Sequence, residues 1–338
     1  MGWMPRLAPT CVVMLGLGAV AACKGSPLRP DAQLDGTPLD AFDPPWWNPT
    51  PGEARNWDIQ LTPPFDISAP RAMYMLDLWD VVPGPMMLDY GDGDPVSVPA
   101  GALATAIATL KARTPSTIVI CHVDTGAIHL DDPDARKFPG FEATPPNRPT
   151  NPAASSVIGW STTETGTTER FLDIRAASRA QFTAILFERF DLAKTIGCDG
   201  VATDRNDAVA YETTIGHGFG SIPIREHTSW SVEVAAQAHQ RELSAGMRNG
   251  YTITAQAGEL SDDFDFLVAD RCAEYGECDQ ARPFIDKARA VFAIDYFVDE
   301  AGEPLTKAAI CTRWSQGQIQ DGVIKDAPLS SAVRDACN

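Results

Sequence analysis

Acidic side chains stand at the ends of several short apolar runs in this chain of 338 residues. In the stretch "GCDGVATDRND" (197–207), a strand-like run ends on Asp204. A single Asp in that position is usually a helix cap or a turn residue. Repeated over many strands, the pattern instead predicts a shared cleft. The side chains that end the other runs are Asp77, Asp124, Asp173 with Arg175, Arg248 with Asn249, Asp270, and Asp295 with Tyr296.

Such a group of side chains suits a sugar ligand. Carboxylates accept hydrogen bonds from hydroxyl groups, whereas Arg and Asn donate them. Crowded carboxylates also repel one another, so that some keep a proton and can act as acids. Two carboxylates across a sugar are the minimum equipment for glycoside hydrolysis. Trp160, in a long Pro-rich loop, is a candidate platform for stacking a sugar ring, and core packing explains it equally well.

The elements that must position these side chains alternate along the chain. Short apolar runs between helical patterns predict a parallel sheet covered by helices. Seven or eight strands over about 280 residues favour an α/β fold with a single-domain (β/α)8 TIM-like barrel, whose strands all open onto one face. The predicted strands are 72–80, 116–124, 170–175, 199–204, 245–249, 264–270 and 290–296, with an eighth near 317–326.

Composition and missing motifs exclude other classes of function. The net charge of -18 and the pI of about 4.6 argue against nucleic-acid binding. An acidic surface is usually a solubility device, but it also suits a site for cationic or polar ligands. No G-x-G-x-x-G follows the first strand, and neither G-x-S-x-G nor H-E-x-x-H occurs. We therefore predict neither a cofactor nor a metal site. His122, beside the cleft, is expected to be a hydrogen-bonding wall residue.

The N-terminus carries an export signal. Arg6 precedes the apolar run "CVVMLGLGAVAAC", which predicts a signal peptide over residues 1–22. The ending "VAAC" resembles a bacterial lipoprotein signal, in which Cys23 is lipidated and becomes the first mature residue; ordinary cleavage nearby is the alternative. Residues 23–52 are a predicted Pro/Asp-rich tether. We expect a protein anchored by lipid alone to the bacterial cell envelope, at the outer membrane or cell surface.

An exported chain meets oxidising conditions, which makes its cysteines informative. Cys272 and Cys278 bracket the short loop "CAEYGEC" and are the best disulfide candidates. Cys311 and Cys337 are a second candidate pair, which would staple the C-terminal tail. The remaining two, Cys121 and Cys198, lie in apolar settings and are predicted to be buried thiols. Spacing alone leaves every pairing open, and the sequence does not indicate an oligomeric state.

Six motifs in fixed order resemble the glycoside hydrolase family 114 domain. That family comprises endo-α-1,4-polygalactosaminidases with a TIM-like barrel. The resemblance implies a barrel domain over residues 53–300, with a helix and tail over 301–338 that complete or flank it. The motifs are "YMLDLWD", "VICHVDTGA", "ERFLDIR", "GCDGVATD", "LSAGMRN" and "ADRCAEYGECD".

The resemblance also implies roles for individual residues. The family's fourth strand usually ends Glu-Pro-Asp-Asn, matched here by Ala202, Thr203, Asp204 and Arg205. The family's proposed catalytic pair maps onto Asp204, as nucleophile, and Asp270, as general acid/base. Asp270 is one methylene shorter than the usual Glu. A retaining pair has its carboxyl groups about 5 Å apart.

Two functions of different class follow. The first is an exported, lipid-anchored hydrolase that cuts an α-linked galactosamine-containing polysaccharide with retention of configuration. The second is a catalytically degenerate, carbohydrate-binding lipoprotein that keeps the barrel. A hydrolase with another sugar specificity is a third hypothesis. The side chains predicted to bind substrate are Asp77, Asp124, Trp160, Asp173, Arg175, Arg248, Asn249, Asp295 and Tyr296.

Overall fold

The computed structural model describes residues 44–148, 156–164, 166–251 and 257–337. The predicted signal peptide, Cys23 and most of the predicted tether therefore lie outside the described residues. Among the helices of the described part, none is long and apolar enough to cross a membrane.

Eight parallel strands form the (β/α)8 barrel, with each strand hydrogen-bonded to the next in chain order. Most are short and rich in β-branched or apolar residues, as buried parallel strands are. They are β1 (Trp57–Gln60), β2 (Met73–Asp77), β3 (Ile118–Asp124), β4 (Gly200–Asp204), β5 (Ser244–Arg248), β6 (Phe266–Asp270), β7 (Ala290–Tyr296) and β8 (Asp321–Lys325).

Helices cover the outside of the barrel. Helix α3 ends at Gly197, whose φ of 96° provides the left-handed turn that closes many helices. The helices are α1 (Ala106–Arg113), α2 (Ala176–Arg179), α3 (Thr183–Ile196), α4 (Ile224–Gln240), α5 (Ala257–Asp263), α6 (Cys272–Tyr275), α7 (Arg282–Asp286) and α8 (Lys307–Gln316).

Contacts between β8 and β1 close the barrel. The indole N–H of Trp57 donates to the carbonyl of Asp321 at 3.0 Å. Lys325, fully buried, donates to Asp58 at 2.8 Å across the same seam. A short strand, Arg334–Asp335, pairs antiparallel with β8. The C-terminal segment after residue 300 thus supplies the eighth strand, within the region where the sequence predicts it.

The third predicted strand, at 170–175, is not part of the barrel. Its residues Glu169–Leu172 form an antiparallel sheet with Ala127–His129 and Ile158–Ser161. The barrel begins instead with β1, which is not among the strands predicted from the sequence. Only four residues long, with Asp and Gln among them, "WDIQ" carries little strand signal.

The folded unit begins at Pro44, within the predicted tether. The indole of Trp46 stacks on His239 with ring centroids 4.2 Å apart and donates to Asp265 at 3.1 Å. The backbone carbonyl of Pro49 accepts from the N–H of Ala290 at 3.1 Å. Residues 46–49 of the predicted tether thus pack against the start of the barrel strands.

Three disulfide bonds connect the six cysteines of the described part. Cys272–Cys278 is the predicted pair, and Cys311–Cys337 fastens the tail to α8. The prediction of buried thiols at Cys121 and Cys198 was wrong. These two lie 77 residues apart in sequence, but β3 and β4 are neighbours, which brings their Cα atoms to 6.0 Å.

Candidate active site

The carboxyl ends of the barrel strands surround a cavity of about 440 Å³. Carboxylates dominate its wall and outnumber the basic side chains. Three of them end barrel strands: Asp77, Asp124 and Asp204. The others belong to loops and to the small antiparallel sheet: Asp80, Asp131, Asp132 and Glu169. The predicted acidic cleft is thus present, at the end of the barrel where TIM-barrel active sites lie.

Strand alternation decides which strand-end side chains enter this cleft. Successive side chains in a strand point to opposite faces. Tyr296 therefore faces the barrel interior, whereas its neighbour Asp295 faces outward and is fully buried. Asp295 accepts from the backbone N–H of Ala273 at 3.1 Å and from the indole N–H of Trp314 at 2.7 Å. Asp295 thus fastens α6 and α8 and lies outside the cleft. The alternation of side chains along the strand is the sequence signal that could have predicted this placement.

Asp204 lies at the centre of the cleft floor and is 6% exposed. Its Oδ2 accepts from Arg248 Nη1 at 2.9 Å and contacts His122 Nε2 at 3.3 Å. Its Oδ1 accepts from the backbone N–H of Arg205 at 2.7 Å. Burial alone would raise the pKa of Asp204, but Arg248 and His122 lower it well below its usual value. The carboxylate form of Asp204 is therefore favoured more strongly than in an ordinary Asp.

Arg248 connects the two carboxylates of the predicted pair. It lies on β5, between the strands that carry Asp204 and Asp270. Its Nη2 donates to Asp270 Oδ2 at 2.6 Å, and the Tyr296 hydroxyl donates to Asp270 Oδ1 at 2.9 Å. The Asn249 side chain accepts from the backbone N–H of Asp270 at 3.1 Å. One planar guanidinium therefore contacts both carboxylates, one with each of its terminal nitrogens.

The residue after each of these three strands has an unusual backbone. Arg205, Asn249 and Arg271 have φ values of 62°, 58° and 61°. A left-handed conformation costs a non-glycine residue about 1–2 kcal/mol. Such strain is found where the surrounding structure determines the conformation, and functional sites are common among such places. Here it follows directly after Asp204, Arg248 and Asp270.

Two histidines extend the polar floor beyond Asp204. His122 Nδ1 lies 3.7 Å from Asp77 Oδ2. Its Nε2 lies 3.9 Å from Asp124 Oδ1, and His129 Nε2 lies 3.3 Å from Asp124 Oδ2. Burial lowers the pKa of His122, but Asp204 and Asp77 raise it to about 10. Likewise, Asp124 raises the pKa of His129 to about 9 against the effect of burial.

His129 and Glu169 belong to the small antiparallel sheet, so no periodicity in the sequence placed them at the cleft. Glu169 forms a two-pronged ion pair with Arg205, at 2.7 Å to Nε and 3.0 Å to Nη2. Ala202 lies one layer below Asp204 among the apolar side chains inside the barrel. Ala202 and Arg205 replace the Glu and Asn of the family's usual Glu-Pro-Asp-Asn. Both residues have local contacts that suit their own side chains.

The family model for glycoside-hydrolase family GH114 matches residues 36–338. The chain belongs to family GH114. A search of curated proteins found no match. Among solved structures, Aspergillus fumigatus Ega3 in complex with galactosamine has a TM-score of 0.62 and 23% identity, covering 86% of this chain and 97% of that one. At that identity, the similarity shows the shared fold.

Two other solved glycosidases are more distant from this GH114 chain. A glycoside hydrolase family 20 β-N-acetylglucosaminidase has a TM-score of 0.39 and 15% identity, covering 67% of this chain and 47% of its own. The trehalose-6-phosphate hydrolase of Bacillus licheniformis has a TM-score of 0.39 and 9% identity, covering 72% and 57%. Neither carries an argument about the site.

Two further predicted residues lie away from the cleft of this GH114 barrel. Asp173 accepts from Arg175 at 2.7 and 2.6 Å and from the Ser178 hydroxyl at 2.6 Å. These contacts hold the first turn of α2, and neither Asp173 nor Arg175 is part of the cleft wall. The assignment to a barrel strand end was wrong, since the strand before Asp173 belongs to the small sheet.

Trp160 lines a second cavity, of about 320 Å³, separate from the cleft. Gly216 and Gly218 lie against its indole, so that a Cβ at either position would come within 2.8 or 2.5 Å of the ring. The guanidinium of Arg148 lies 5.5 Å from the ring centroid. Packing therefore accounts for Trp160 and for the glycines at positions 216 and 218.

Ligand-type side chains converge at two places in the cleft. His122, Asp124 and Asp204 form one group, and Asp124, His129 and Glu169 form another. In the first group, Asp204 and His122 contact Arg248; in the second, Arg205 occupies both oxygens of Glu169. In both groups a guanidinium already supplies positive charge to the carboxylates. The contacts are therefore those of ion-paired side chains. Cys272 and Cys278, near Asp295, are bonded to each other.

Proposed function

We propose that this glycoside hydrolase cleaves an α-linked, galactosamine-containing polysaccharide through Asp204 and Asp270, with retention of configuration. The observation that carries the proposal is the pair of carboxylates joined by Arg248 at the carboxyl end of the barrel. Membership of family GH114 supports the reaction class, and the similar Ega3 structure, solved with galactosamine, supports the sugar.

In the proposed reaction, Asp204 attacks the anomeric carbon while Asp270 gives a proton to the departing glycosidic oxygen. The resulting glycosyl ester on Asp204 is then hydrolysed by a water molecule that Asp270 deprotonates. The permanent charge on Asp204 suits a nucleophile. Because one guanidinium spans the pair, a sugar that enters between the carboxylates must open the contact of Arg248 with one of them.

The charge of the cleft favours a cationic polymer. Seven carboxylates line the cavity, whereas its basic side chains are His122, His129, Arg205 and Arg248. The whole chain has a net charge of -18. Free ammonium groups on a galactosamine polymer would be attracted to such a surface, and the attraction would weaken as salt is added.

The test is release of reducing ends from galactosamine-rich oligosaccharides by the folded domain. We expect turnover by the native protein and a loss of roughly 10⁴-fold or more in Asp204→Asn. Asp191→Asn is the matched control, because Asp191 pairs with Arg241 on the outside of α3. NMR of the first product distinguishes retention from inversion of the anomeric centre. An Asp204→Asn variant with unchanged turnover contradicts the assignment.

The second candidate function is sugar binding without hydrolysis. The contacts of Asp270 favour it: Arg248 and Tyr296 both donate to the carboxylate that must carry the proton. Calorimetry with the same oligosaccharides measures this function directly. Binding by the native protein without any release of reducing ends would replace the first candidate by the second.

The proposed site of action is the cell envelope, through lipidation of Cys23. Metabolic labelling with a fatty acid is expected to mark the native chain and to leave Cys23→Ala unlabelled. A chain that is exported without lipid would favour ordinary signal cleavage.

A further inference from the structure

His122 is enclosed by carboxylates from three barrel strands. Its side chain is 9% exposed. Asp77 from β2, Asp124 from its own strand and Asp204 from β4 lie 3.7, 3.9 and 3.3 Å from its ring nitrogens. The only other charged group of the described residues in contact with its ring nitrogens is Arg248 from β5, at 3.3 Å from Nε2. An imidazole in this setting is held as an imidazolium.

Two cations therefore converge on one oxygen of Asp204. Arg248 Nη1 and His122 Nε2 both contact Oδ2, at 2.9 and 3.3 Å. Arg248 is shared with Asp270, whereas His122 makes no contact with that second carboxylate. When a sugar separates the two carboxylates, the guanidinium contact with one of them opens. If the contact with Asp204 is the one that opens, His122 is the cation that stays with Asp204.

The other carboxylates fix the orientation of the ring. Asp77 faces Nδ1, on the side away from Asp204. Asp124 Oδ1 is buried, has no hydrogen bond within the described residues and lies 3.9 Å from His122 Nε2. The second oxygen of Asp124 contacts His129, whose side chain is 45% exposed. A row of alternating carboxylates and imidazoles thus runs from Asp204 to the solvent.

We propose that His122 is a positioning residue for Asp204. As an imidazolium, it holds the carboxylate in the orientation used for attack, and Asp77 and Asp124 hold the imidazolium. This inference rests on the proposed function of Asp204. The raised pKa of His122 agrees with it, because the cation then persists across the neutral range.

Kinetics of His122→Gln provide the first test. Gln keeps an amide donor near the position of Nε2 but carries no charge. We expect kcat to fall by about 10- to 100-fold with KM changed less than about twofold, since a misplaced nucleophile affects the chemical step. His239→Gln is the control, since His239 pairs with Asp265 at 2.8 Å at the opposite end of the barrel.

Asp77→Asn is the second variant, in case His122→Gln fails to fold, which thermal melting would show. Asp77 touches His122 and lies on the cleft wall, so its loss is expected to lower kcat in the same direction and to lower the pKa of His122. Unchanged kcat in a folded His122→Gln, beside an inactive Asp204→Asn, overturns the inference and leaves the proposed function intact.

NMR titration of the histidine rings tests the inference without any turnover. In the native protein we expect His122 to titrate well above the ordinary value of 6.5, and to shift downward by at least about one unit in Asp204→Asn. If the native protein hydrolyses nothing, the proposed function fails, and this titration still decides whether His122 is coupled to Asp204. Titration near 6.5 in the native protein overturns the coupling.

Discussion

Asp204 and Asp270 share one guanidinium although they belong to strands that are not neighbours. Arg248 stands on the strand between them and donates to both, at 2.9 and 2.6 Å. Backbones two strands apart in a sheet are separated by about 10 Å. Side chains that project into the barrel cover that distance, so that Arg248 contacts both carboxylates; Asp204 and Arg248 line the cavity, whereas Asp270 does not.

Removal of the shared cation leaves two buried carboxylates without their partner. Arg248→Met is therefore expected to lower the free energy of unfolding by about 3–5 kcal/mol. Urea denaturation measures it. Arg241→Met removes a comparable guanidinium from the surface ion pair with Asp191. Its cost in unfolding free energy is expected to stay below about 1 kcal/mol. Equal losses in the two variants would contradict the role given to Arg248.

Asp295 is expected to affect stability rather than catalysis. Asp295→Asn keeps one acceptor for the α6 backbone but cannot accept from all of its donors, Ala273, Glu274 and Trp314. The expected cost is about 1–3 kcal/mol of unfolding free energy. Turnover at a temperature where the variant is folded should equal that of the native protein. A loss of kcat in the folded variant would place Asp295 in the cleft chemistry.

A comparison of two glycines with nearly equal φ distinguishes the cost of backbone strain from the cost of steric crowding. Gly218 has φ 87° and faces the Trp160 indole, whereas Gly302 has φ 88° and open space. Gly302→Ala is expected to cost about 1–2 kcal/mol from the left-handed backbone alone. Gly218→Ala adds overpacking of about 1–3 kcal/mol. Thermal unfolding of both variants measures the difference. Equal losses of unfolding free energy would show that the Trp160 indole moves aside without a penalty.

Stability is expected to fall as the pH rises into the alkaline range. The folded pKa values of His122 and His129, about 10 and about 9, lie above the ordinary 6.5. A raised histidine pKa contributes stability that is complete below pH 6.5 and is lost as the pH passes the folded values. Urea unfolding from about pH 6 to about pH 10 measures the decline. A His122→Gln/His129→Gln double variant should flatten it, and a native curve that rises across this range would contradict the prediction.

The disulfides are expected to differ in their contribution. Cys121–Cys198 closes 77 residues and Cys272–Cys278 closes 6. Loop-closure entropy predicts costs of about 4 and about 2 kcal/mol for the two Cys→Ala double variants. Chemical denaturation of each double variant measures them. The reverse order would show that strain or local packing, rather than the loop length, sets the difference.

Most of the barrel was predictable because each strand is a local pattern. The runs at 199–204 and 290–296 match β4 and β7 closely, since they are apolar and bounded by turns. The run at 170–175 has the same local pattern, yet it pairs with a different sheet. The sheet with which a strand pairs is decided by the tertiary structure, and a local sequence pattern does not predict it.

By itself, the sequence determined the barrel and the acidic character of its open end, because strand ends and their side chains are local features. The resemblance to family 114 then selected Asp204 and Asp270 from those strand ends. Only the tertiary structure decided which of those side chains meet. It brought His129 and Glu169 to the cleft from an inserted sheet and joined Cys121 to Cys198 across neighbouring strands. It also turned Asp295 outward. Contacts between residues far apart in the chain depend on strand register and barrel closure, which arise only when the whole chain is folded.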